Sequence, residues 1–141
     1  MNKINLGRAI LGGLVTGLIL NIGEFVLNTM VLGKDMQEFF KRCGFPPDPG
    51  PTFIAIAVVI TFVLGIVIVI GYAAIRPRFG PGPKTAVIAA LFAWFGVYLY
   101  QNVIGLGLGI MPTRVAVIAM AWGLVEYIIG TLAGAAVYKE A

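Results

Sequence analysis

The chain has 141 residues, 60% hydrophobic and 11% charged, with a mean hydropathy of +0.98 and a net charge of +4. This composition lies outside the range of soluble domains and marks a polytopic membrane protein. One cysteine and no histidine exclude an internal disulfide and remove the commonest ligand of haem, zinc and copper, so neither a metal nor a cofactor is expected. The basic residues sit at the ends of apolar runs, where they orient a membrane protein, and not in a patch that would bind nucleic acid.

Residues 1–8 make a short basic start with Lys3 and Arg8, and the apolar run that follows predicts a helix over 9–32. At about 1.5 Å per residue it crosses a hydrocarbon core of about 30 Å. The run is too long for a cleavable leader and lacks a small-x-small cleavage site. At helical spacing, Ala9, Gly13, Gly17, Asn21, Glu24 and Asn28 share one face, backed by Leu, Ile, Val and Phe. Gly13 and Gly17 form a GxxxG pair that allows close approach of another helix. A glutamate in hydrocarbon is costly unless neutral, paired or facing a cavity, so other helices are expected to cover this stripe.

KDMQEFFKRCG, residues 34–44, predicts a short amphipathic helix over 35–43 lying in the membrane interface. Met36, Phe39, Phe40 and Cys43 share its apolar face, with Lys34, Lys41 and Arg42 opposite. Asp35 and Glu38 have the spacing of a capping box. Gly44 ends the helix, and the proline-rich PPDPGP, residues 46–51, forms a stiff return to the bilayer.

The second spanning helix is expected over 52–75, without charge or amide and facing lipid over much of its surface. After the basic turn RPRFGPGPK comes a third over 85–107, in which Trp94, Tyr98 and Gln101 share a stripe with Asn102 beside it. Trp94 falls near mid-span, so its indole N–H needs a partner inside the protein. A fourth helix over 114–138 aligns Ala119, Gly123, Glu126, Gly130 and Gly134, the last two a second GxxxG pair. EYIIGT at Glu126 echoes EFVLNT at Glu24, which makes the first and last helices natural neighbours.

Placing both termini inside puts six basic residues (Lys3, Arg8, Arg76, Arg78, Lys84 and Lys139) in the cytoplasm against four outside (Lys34, Lys41, Arg42 and Arg114). The positive-inside effect therefore favours cytoplasmic termini in a bacterial inner membrane. Buried chemistry is confined to Asn21, Glu24, Asn28, Tyr98, Gln101, Asn102, Trp122, Glu126 and Tyr127. Either the two glutamates hydrogen-bond to amides and aromatic N–H or O–H groups and set helix register, or they bind and release protons during transport. There is no nucleophile elbow and no phosphate-binding glycine motif, so no enzyme is expected.

NIGEFVLNTMVLG (residues 21–33), YAAIRPRFGPGP and WGLVEYIIGTLAG resemble a family of small four-helix bacterial integral membrane proteins with no assigned activity. The resemblance implies a fold and no site residues. Four spans with a carboxylate in the first also parallel the layout of small multidrug-resistance transporters, without their surrounding sequence pattern. The expectation is an all-α, four-span antiparallel bundle in a single transmembrane domain, residues 1–141. Its favoured role is a packing or accessory subunit in the lipid bilayer, as a homo-oligomer or within a larger membrane complex. The alternative is a small proton-coupled transporter using Glu24 and Glu126.

Overall fold

A computed structural model of the chain describes residues 3–140, so the expected domain limits at 1 and 141 lie outside the described residues. These residues form helices joined by short turns, with no strand among them. In chain order they are α1 (Leu6–Val31), α2 (Gly33–Arg42), α3 (Pro51–Phe79), α4 (Pro83–Gly107) and α5 (Thr113–Val137). All but α2 are long and apolar enough to cross a membrane, at 25 to 29 residues each. The protein is thus an all-helical, multi-pass membrane protein by length and composition.

The helix ends differ from expectation for local reasons. α1 begins at Leu6 because Asn5 caps it, its side-chain oxygen accepting from the Arg8 N–H at 3.1 Å. α3 continues four residues beyond 75, since Pro77 stands in its last turn, where the missing N–H costs one bond only. α2 starts at Gly33, running straight on from α1 with the Met36 N–H bonded to the Leu32 carbonyl. The capping box expected of Asp35 and Glu38 is therefore not formed: no side chain caps α2, and Asp35 pairs with Arg114 at 3.5 Å.

Two small-residue grooves set the packing. α1 packs mainly on α3 and α5, and α4 packs on the same two helices. Gly13 and Gly17 meet α3: a Cβ on Gly17 would stand 2.8 Å from Phe62 Cα, and one on Gly13 2.8 Å from Ile66 N. Gly12, one position along, faces Gly134 of α5, where Thr16 donates to the Gly130 carbonyl at 2.9 Å. Gly130 itself is more loosely met, by the tip of Leu20. α3 is mostly exposed along its first half, and its buried residues all fall from Gly65 onward: Gly65, Ile68, Val69, Tyr72 and Ala73.

Polar side chains tie both ends of the helices. At one end the Arg76 guanidinium lies 5.7 and 5.3 Å from the rings of Tyr72 and Tyr138 and pairs with Glu140 at 3.1 Å. The Tyr138 hydroxyl accepts from the Asn5 N–H, and the Tyr72 hydroxyl from the Gly82 N–H. At the other end α2 reaches the α4–α5 turn, Arg42 donating to the Ile110 carbonyl at 2.9 Å. Gln37 donates to Asp48, holding the proline-rich return against α2.

Candidate functional site: a buried carboxyl pair

The last turn of α1 and the middle of α4 both widen into a π-helical turn, Leu27–Val31 and Phe95–Leu99. In each, an N–H bonds five residues back: Leu32 to the Leu27 carbonyl, Tyr100 to the Phe95 carbonyl. Polar side chains at each turn bond back to carbonyls one turn earlier on their own helix, which lipid could not otherwise solvate. Asn28 and Thr29 donate to the carbonyls of Glu24 and Phe25; Gln101 and Asn102 donate to those of Val97 and Tyr98. Gln101 and Asn102 therefore turn back on their own helix and do not join a shared polar layer across the bundle.

The two π turns bracket a cluster. Glu24 precedes the first and Tyr98 lies within the second, and the Tyr98 hydroxyl donates to Glu24 Oε1. Asn28 donates to Glu24 Oε2 at 3.1 Å. From α5 the Glu126 side chain, 6% exposed, brings its carboxyl within hydrogen-bonding reach of Glu24. Both Glu126 oxygens are buried. Trp122 borders this carboxyl but gives its indole N–H to the Gly23 carbonyl at 3.2 Å.

Glycine makes the space. A Cβ on Gly23 would stand 2.7 Å from the carboxyl carbon of Glu126, and one on Gly123 would stand 2.6 Å from the Tyr98 ring. Tyr98 also packs edge-to-face on Tyr127, with ring centres 5.3 Å apart. Residues from three helices are thus drawn to one point between α1, α4 and α5. Among the described residues no arginine or lysine pairs with either glutamate, and no group of three His, Cys, Asp or Glu could hold a metal.

Of the residues singled out from sequence, Glu24, Asn28, Tyr98, Trp122 and Glu126 meet here. Asn21 goes elsewhere, donating to the carbonyls of Gly17 and, on α3, Val58. The second spanning helix, expected without charge or amide, brings no side chain to this cluster, although its Val58 carbonyl holds Asn21 and its Tyr72 and Arg76 make polar contacts near its other end. Trp94 finds the partner its mid-span position demands, donating to the Met120 carbonyl at 2.9 Å. Met36 packs against the core, while Phe39 and Phe40 are half-buried. Sequence reading missed Gly12, Thr16 and Gly23, which form a second stripe of α1 displaced by one residue from the first. The small-residue spacing of Gly12, Thr16 and Gly23 was the available signal.

No protein-family model matches the chain, and comparison with curated proteins and with solved structures returned no match.

Proposed function

We propose that the protein is a four-span antiparallel bundle of a bacterial inner membrane whose working part is the Glu24–Glu126 pair, serving as the proton-binding site of a small proton-coupled transporter. The observation that carries this reading is the meeting of the two carboxyls, from α1 and α5, in a site with no cationic partner among the described residues. Two carboxyls side by side in a low dielectric cannot both be charged, so the pair holds a proton that it can exchange. The flanking π turns fit a site that must shift, since such turns recur at functional positions.

In this reading both termini are cytoplasmic, as the six-to-four distribution of basic residues favours, and α2 lies in the external interface. Infrared difference spectra of the protein in liposomes, recorded between acid and alkaline pH, test the site. The wild type is expected to show a reversible carboxyl C=O band that Glu126→Gln removes or shifts, with the fold retained. Pyranine-loaded proteoliposomes under an imposed potential should then lose proton-coupled flux in Glu24→Gln and Glu126→Gln. A wild-type spectrum with no titrating buried carboxyl would refute the proposal.

A further inference from the structure

The two ends of the bundle differ in charge. One end gathers Lys3, Arg8, Arg76, Arg78, Lys84 and Lys139 against a single described carboxylate, Glu140. The opposite end sets four basic residues against three acidic ones, and there Arg114 pairs with Asp35 and Arg42 bonds the Ile110 carbonyl. The basic residues of the first end come from three stretches of chain that the fold ties together. The Tyr138 hydroxyl accepts the Asn5 N–H, the Tyr72 hydroxyl accepts the Gly82 N–H, and the Arg76 guanidinium lies against both rings. Arg76 also pairs with Glu140, so that carboxylate already has its cation. Lys3, Arg8, Arg78, Lys84 and Lys139 are exposed, and among the described residues none of their side chains forms an ion pair or a hydrogen bond.

We propose that this end binds the phosphate headgroups of anionic phospholipids in the adjoining leaflet. Depth suits the contact. Arg8, Arg78, Lys84 and Lys139 each lie within two residues of the end of a spanning helix, and the headgroup layer reaches about 5 to 7 Å beyond the hydrocarbon. Leu6 and Phe79, their exposed apolar neighbours in the sequence, keep the same level of the bundle against acyl chains. Orienting a chain in the membrane needs only an excess of Lys and Arg on one side. Here the excess is also drawn together and left without protein counter-charge, and cations at a bilayer surface attract anionic lipid. A zwitterionic headgroup brings its own ammonium and gains less. Binding at this end needs neither proton exchange by the carboxyl pair nor a particular orientation of the chain.

Spin-labelled lipids in proteoliposomes test this. The share of each lipid held motionally restricted at the protein gives its association constant relative to phosphatidylcholine. Contact with one surface cation favours an anionic lipid about fivefold, so phosphatidylglycerol, averaged round the protein, should be favoured about twofold or more at low salt. In the wild type this preference should shrink as sodium chloride is raised. In Arg78→Gln/Lys84→Gln/Lys139→Gln it should fall towards one, while the number of restricted phosphatidylcholine molecules, a measure of the intact bundle, stays as in the wild type. Lys34→Gln/Lys41→Gln, at the opposite end, should keep the wild-type preference. No preference in the wild type, a preference indifferent to salt, or equal loss in both variants would overturn the proposal. So would displacement of phosphatidylglycerol by inorganic phosphate beyond that by chloride of equal ionic strength, because the free anion would then be the ligand.

Discussion

Replacing Gly13 with alanine tests the packing logic most directly. The added Cβ would stand 2.7 Å from Ile66 Cγ1 and 2.8 Å from Ile66 N, with the Ile66 Cα closer still. Ordinary contacts begin at 3.4 Å, so α1 and α3 must part by at least about 0.6 Å, and backbone atoms of a helix cannot step aside locally. Overpacking of this sort costs about 1 to 3 kcal/mol, and contact with backbone puts Gly13 at the upper end. Alanine's better helix propensity returns about 0.5 to 1 kcal/mol. The net loss of about 2 kcal/mol should lower the melting temperature in detergent by about 5 °C or more. Gly71→Ala, with nothing within 4 Å of the new Cβ, is the matched control and should melt at or above the wild type. Gly130→Ala is crowded by the flexible end of Leu20 at 3.2 Å, its other neighbours lying at 3.5 Å or more, and should fall between them. If Gly13→Ala melts no lower than Gly71→Ala, the close approach of α1 to α3 is wrong.

The two ends of the bundle should respond differently. Arg76→Ala removes the Glu140 pair and both ring contacts from a side chain only 16% exposed, and should cost about 1 to 2 kcal/mol in a thermal melt. Asp35→Asn breaks a pair whose arginine is 70% exposed, and should change stability by less than about 0.5 kcal/mol. Exposed Cys43 reports topology: an impermeant maleimide should label it in intact spheroplasts, and labelling only after lysis would invert the proposed orientation.

The sequence alone determined the class of protein and the rough limits of each span, because hydrocarbon imposes a length and a composition that can be read residue by residue. It also marked Glu24 and Glu126 as costly, and their local likeness pointed to neighbouring helices. Which polar groups meet was decided only in three dimensions. Sequence spacing gives a helix face, but the partner of that face depends on interhelical distance, and here that distance is set by glycine. Gly13 and Gly17 bring α3 in, Gly12 and Gly23 bring α5 in, and the one-residue offset between the two stripes cannot be assigned to a partner from periodicity alone. The π turns were equally hidden. Asn28, Gln101 and Asn102 look like members of an interhelical network from their spacing, but much of their bonding goes to carbonyls four residues back on their own helices. What remains at the centre, a carboxyl from each of two helices beside a tyrosine from a third, is a product of tertiary packing.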